Sequence, residues 1–203
     1  MNRRSAPPPP PPGRRPATGG GAPGTVRIIG GHWRGTKLPV ADLDGLRPTS
    51  DRVRETLFNW LQPMLPGARV LDLFAGSGAL GLEAVSRGAR EAVLVERDPT
   101  LAANLRQIAA RLPDGDRVQV VSADAVAWMR DAPGEFDLAF VDPPFAANLW
   151  QPALDAVASR MAADAWLYVE APHDAAADPG PGWRPHREGK TRDVRYAVYR
   201  RDA

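Results

Sequence analysis

The sequence predicts an α/β protein built on a doubly wound, mostly parallel seven-stranded sheet, preceded by a basic β-hairpin and a helix. Three observations lead there. From Arg69 onward, short apolar runs alternate with helix-period segments, which is the pattern of βαβ crossovers. A G-x-G-x-x-G follows the first of these runs and opens a helix. No run approaches the roughly 20 apolar residues needed to span a bilayer, so the 203-residue chain reads as one globular domain plus a proline-heavy segment.

That segment comes first. Residues 1 to 25 hold 13 prolines and glycines, including the run Pro7 to Pro12, and too little apolar surface to offset ordering entropy, so a disordered arm is expected. Its Arg3-Arg4 and Arg14-Arg15 pairs lack the apolar stretch of an export signal. Val26 to Ile29 and His32 to Val40 read as two short strands about the Gly30-Gly31 turn. Thr49, Ser50 and Asp51 offer N-caps for a helix whose Val53, Leu57, Trp60 and Leu61 share a face, ending before Pro63 or Pro66. Residues 26 to 66 are expected to form a basic hairpin-and-helix extension and residues 67 to 203 a separate α/β domain.

In that second part, the expected strands are Arg69 to Leu73, Ala92 to Val95, Val118 to Val121, Phe136 to Val141 and Trp166 to Val169. Between them lie helices at Ala79 to Arg87, stopped by Gly88, at Leu101 to Leu112, at Ala125 to Arg130 and at Leu149 to Met161. Residues 171 to 182 read as a loop, and Val194 to Arg200 as an edge strand pairing with one near Trp183 to Arg187.

Composition narrows the chemistry. With no cysteine, thiol nucleophiles, disulfides and zinc-thiolate sites drop out, and a reducing cytoplasm is expected. His32, His173 and His186 have no metal-ligand spacing, so no metal is expected. Charge is unevenly placed: residues 1 to 60 carry 10 Arg/Lys against 4 Asp/Glu, residues 61 to 182 carry 9 against 17, and residues 183 to 203 carry 7 against 3. Basic ends around an acidic middle suit a polyanion held by the termini and a neutral or cationic ligand held centrally. Arg27, Arg34, Arg47, Arg52 and Arg54 are the candidate nucleic-acid contacts, the alternative for Arg52 and Arg54 being an ion pair with a neighbouring acid.

The glycine motif Gly76-Ser77-Gly78-Ala79-Leu80-Gly81 allows a tight turn and close ligand approach at the carboxyl edge of the sheet. Glu96 ends the next strand, 20 residues after Gly76, where a carboxylate can accept from both ribose hydroxyls. NAD and S-adenosylmethionine both fit these features. Asp72, just before the glycines, would repel a pyrophosphate but could help hold an ammonium; alternatively it caps the following loop. Asp124, past the third strand, is placed to accept from an adenine amine, to N-cap the next helix, or both.

The most informative stretch is Asp142-Pro143-Pro144-Phe145 at the end of the fourth strand. Two prolines surrender backbone donors and stiffen the turn. A stiff turn can aim the Asp142 carboxylate and the Pro143 carbonyl at one exocyclic amine while Phe145 offers a face for a base to stack on. Two acceptors on the amine hydrogens favour a pyramidal nitrogen with its lone pair directed at a methyl donor.

A glycine motif followed by Asp-Pro-Pro-Phe is similar to the class I, Rossmann-like, S-adenosylmethionine-dependent N-methyltransferases. The stretch Arg27 to Gly35 and the block Leu46 to Leu61, with its Arg47-Pro48-Thr49 and Asn59-Trp60-Leu61, closely resemble the small-subunit ribosomal RNA guanine-N2 methyltransferase family (RsmD). The resemblance covers about residues 26 to 200 and implies methylation of the guanine at position 966 of 16S rRNA. It implies S-adenosylmethionine contacts at Asp72, Phe74, Gly76, Gly78, Glu96 and Asp124, and catalysis by Asp142, Pro143, Pro144 and Phe145. The substrate would be 16S rRNA within the small subunit or an assembly intermediate, bound by a monomeric cytoplasmic enzyme with no membrane partner. Alternatives are a DNA adenine methyltransferase, for whose usual target-recognition region the chain has no room, another RNA exocyclic-amine methyltransferase, a non-catalytic RNA-binding module, and a dehydrogenase. A protein-glutamine methyltransferase would carry Asn at position 142.

Overall fold

The computed structural model describes residues 24–39, 50–175 and 177–202. The expected arm up to residue 23 and the candidate Arg47 lie outside the described residues.

The main sheet has seven strands in the order β5-β4-β3-β6-β7-β9-β8. Its parallel part consists of β3 (Arg69–Asp72), β4 (Glu91–Glu96), β5 (Val118–Ser122), β6 (Phe136–Val141) and β7 (Met161–Pro172). The antiparallel end is β8 (Trp183–Lys190) and β9 (Val194–Arg201). Strand order reverses beside β3, so β3 and β6 open a crevice at their carboxyl ends, the place where such sheets bind ligands.

Alternation along the strands explains how both faces are covered. Val70, Leu94, Leu138, Phe140 and Tyr168 point to one face, under α1 (Asp51–Leu61), α2 (Ala79–Ser86) and α3 (Pro99–Ala109). Leu71, Val93, Ala139, Val141 and Leu167 point to the other, under α4 (Ala125–Met129) and α5 (Trp150–Ala158). A one-residue slip in register would exchange these two sets of partners.

Two expectations need correction. The second hairpin strand is shorter than His32 to Val40: β1 (Thr25–Arg27) pairs with β2 (Lys37–Pro39), and residues 32–35 form a turn. Gly31 and Gly35 both have positive φ, and Thr36 N–H donates to the Trp33 carbonyl, so the backbone cannot stay extended there. Helix α5 stops at Ala158, because Met161 pairs with Phe136 and begins β7, which continues through Pro172 into the expected loop.

The hairpin and α1 are fastened to α2 by a buried carboxylate. Glu83 is fully buried; its Oε1 accepts from Gly30 N (3.1 Å) and from Arg87 Nε (2.9 Å) and Nη2 (2.7 Å). Its Oε2 accepts from Ile29 N (3.2 Å) and Arg54 Nη1 (3.1 Å). Ser86 completes the seam: Trp33 N–H donates to its hydroxyl, which donates to the Gly30 carbonyl. A Cβ at Gly31 would lie 1.8 Å from the Ser86 carbonyl oxygen, so only glycine permits this approach.

Candidate active site

The site is built from the carboxyl ends of four parallel strands. Beyond β3 the chain turns through Phe74 to Gly78, with Gly76 and Gly78 in the left-handed region, and enters α2. Gly78 carries no side-chain cap, and a Cβ there would press on Leu105 and Leu82. Glu96 closes β4. Its Oε2 accepts from Gly76 N (2.9 Å) and its Oε1 from Asp98 N (2.7 Å). Each oxygen keeps a second lone pair, so two backbone donors fix the carboxylate in an orientation able to accept from a diol.

Asp124 follows β5 and N-caps α4, its Oδ1 accepting from Ala127 N (2.9 Å), while the residue itself stays exposed. The cap and a ligand contact are compatible. At the end of β6, Pro143 is buried and Pro144 exposed, and the Pro144 carbonyl accepts from Ala147 N (2.9 Å) to form a short 3-10 turn. That turn presents Phe145. At 44% it is the large apolar side chain left exposed among the described residues, its ring 6.0 Å from Trp150. Trp150 is itself anchored by its indole N–H on the Glu170 carbonyl (2.8 Å).

These pieces meet in one cavity of ≈ 620 Å³, walled by Phe74, Gly76, Glu96, Asp124 and Asp142 to Phe145. Sequence reasoning missed Asp98, Leu149 and Asp193 in the wall. Asp98 had a visible signal as the N-cap before Pro99; its carboxylate accepts from Thr100 N and Leu101 N. Asp193, in the β8–β9 turn, had none, because only the fold brings it to this edge.

Two predicted cofactor contacts lie behind the wall. Gly78 packs under Leu105 and Leu82. Asp72 is 3% exposed, and its Oδ2 accepts from Gly81 N (2.9 Å) in the first turn of α2, past the loop it was expected to cap. Burial raises the Asp72 carboxyl from 3.8 to about 7, the Gly81 N–H opposing that rise and the Glu96 charge adding to it. Next to Asp142, on β7, the Tyr168 hydroxyl donates to Glu170 Oε2 (2.6 Å). Burial and the Glu170 and Asp142 charges push the Tyr168 hydroxyl well above its ordinary value, so it stays a donor.

The RNA candidates divide. Arg27, Arg34 and Arg52 are exposed, Arg27 pairing with Asp51 at 3.3 Å. Arg54 is 1% exposed, held by Glu83, Asp51 (2.7 Å) and the Arg27 carbonyl (2.9 Å). It is a buried structural cation shared by two carboxylates, the ion-pair alternative for this residue.

The chain matches, over residues 26–200, the family model described as Conserved hypothetical protein 95. It is 44% identical over 183 residues to the Escherichia coli K12 ribosomal RNA small subunit methyltransferase D, covering 89% of this chain and 92% of that one. The chain belongs to this family. The Haemophilus influenzae ribosomal RNA small subunit methyltransferase D is 39% identical, covering 88% of this chain and 95% of its own. Among solved structures, a hypothetical protein from Thermus thermophilus superposes with a TM-score of 0.70 at 32% identity, covering 85% of this chain and 98% of that one.

Proposed function

We propose that this chain transfers a methyl group from S-adenosylmethionine to the exocyclic N2 amine of a guanine extruded from small-subunit rRNA, the guanine at position 966 of 16S rRNA. The observation that carries the cofactor reading is the charge of the cavity. Among the described residues, Glu96, Asp98, Asp124, Asp142 and Asp193 line it against a single arginine, Arg97. Such walls repel the pyrophosphate of a dinucleotide and favour a cationic sulfonium bearing an ammonium group. The family's curated members, named for small-subunit rRNA methylation, support the substrate class.

When bound, S-adenosylmethionine supplies an electrophilic methyl group. Phe74, Gly76, Glu96 and Asp124 would hold it, with the Glu96 carboxylate accepting from the ribose hydroxyls. Asp72, buried beneath the glycine turn, braces the start of α2 through its bond to Gly81 N–H. Asp142 and the Pro143 carbonyl accept from the target amine, localising its lone pair, and Phe145 stacks on the flipped base. A carboxylate offers only acceptors, which match the adjacent N1–H and N2 donors of guanine, whereas adenine presents an acceptor at N1. The proton leaving the amine has Asp142 as its nearest proposed acceptor.

The test is incubation of the full chain with methyl-labelled cofactor and rRNA or small subunits from cells lacking the enzyme, followed by mapping of the label. Label on N2 of guanine 966 is expected. Label on another base, or displacement of S-adenosylhomocysteine by NADH, would overturn the assignment.

A further inference from the structure

An acidic cavity that must receive a base from a polyanion requires cationic surface at its rim. The N-terminal extension supplies less than its composition suggests, because Arg54 is tied to Glu83 and Asp51, and Arg27 pairs with Asp51. The opposite end of the chain supplies the rest. Strand β9 pairs antiparallel with β7, Val194 opposite Pro172, so the β8–β9 turn lies at the carboxyl edge of the sheet, and its Asp193 lines the cavity. Arg187, Lys190, Arg192 and Arg195 are exposed on this hairpin near that turn.

The arrangement is costly for an isolated protein. Lys190 sits directly opposite Arg195, and like charges at cross-strand positions destabilise a ladder. Arg195 is held in place by its Nη2 donating to the Ala175 carbonyl (2.8 Å). A run of phosphates laid along the turn neutralises this pair and leads to the cavity mouth.

We infer that the β8–β9 hairpin is a second rRNA-docking surface, on which Arg187, Lys190, Arg192 and Arg195 hold the phosphate backbone beside the nucleotide delivered to Asp142. This rests on the rRNA reading above and adds the place of contact. The competing role for the same side chains is protection of β8, an exposed sheet edge, against pairing with another chain.

The experiment compares the full wild-type chain with Arg187→Ala/Lys190→Ala/Arg192→Ala and with Arg192→Gln alone, which alters only the turn. Affinity for transcribed 16S rRNA is measured by anisotropy across a salt series, with S-adenosylhomocysteine binding by calorimetry as the control for folding. The slope of log affinity against log salt should shrink by about 2 in the triple variant and by somewhat under 1 in Arg192→Gln, at roughly 0.7 to 0.9 per phosphate contact. Unchanged slopes in both variants overturn the inference, and self-association of the triple variant with an unchanged slope assigns the residues to edge protection instead. A wild-type chain that does not bind the rRNA refutes the rRNA reading itself, a result distinct from either outcome in the variants.

Discussion

Asp72 should make stability depend on pH in the direction opposite to that of most carboxylates. Its carboxyl is raised from 3.8 to about 7 chiefly by burial. A folded-state value above the unfolded one means that the folded chain binds more protons, so the free energy of unfolding falls as pH rises between those values. The penalty is absent below about pH 4 and complete above about pH 7. The interval corresponds to about 4 kcal/mol, at about 1.4 kcal/mol for each pH unit separating the two values. Asp72→Asn keeps an acceptor for Gly81 N–H and removes the ionisation, while its added amide donor contributes an offset that does not vary with pH. Subtracting the wild-type urea-unfolding free energy from that of the variant at each pH cancels every other titrating group. The difference should climb by about 4 kcal/mol from about pH 4 to about pH 8 and then level. A difference that stays flat across this range would refute the claim that Asp72 is held protonated by burial.

Three further outcomes follow from the same geometry. Glu83→Ala removes the buried carboxylate that joins Arg54, Arg87 and two backbone N–H groups, and should cost about 3–5 kcal/mol in urea unfolding, with hydrogen exchange rising in the hairpin; a loss within about 0.5 kcal/mol would show that the seam bears little of the fold. Gly31→Ala places a methyl against the Ser86 carbonyl at a positive φ and should cost at least about 1–3 kcal/mol by thermal unfolding, with near-wild-type stability arguing against the tight approach. Glu96→Ala should weaken S-adenosylmethionine binding by about 1.5–3 kcal/mol in calorimetry, and unchanged affinity would remove Glu96 from the cofactor site.

What the sequence disclosed and what it hid divide along physical lines. Strand β6 was legible to the residue, because an apolar run interrupted only by Asp137 and ending in Asp142-Pro143-Pro144 admits few other readings. The crossovers were legible because period 2 and period 3.6 alternate with glycine and proline stops between them. The hairpin was misread where glycine dihedrals, invisible in a hydrophobicity pattern, turn the chain at 31 and 35. The ion-pair alternative for Arg54 was only half legible, because Asp51 lies three residues away but Glu83 lies 29 residues on, in another helix. A signal did exist: Glu83 is the lone charge in α2, whose eight residues are all buried, and a carboxylate in such a helix must find cations. Asp193 reaches the cavity only through the antiparallel pairing of β7 with β9, which no local pattern specifies.

The central claim is that Asp142 grips the amine that receives the methyl group. The direct measurement is single-turnover methyl transfer to guanine-containing rRNA by wild type, Asp142→Asn and Asp142→Ala, with S-adenosylhomocysteine affinity determined alongside. Turnover should fall for Asn, which keeps one acceptor but adds a donor that must rotate away, and fall further for Ala, while cofactor affinity changes little. Wild-type turnover in Asp142→Ala would contradict the account.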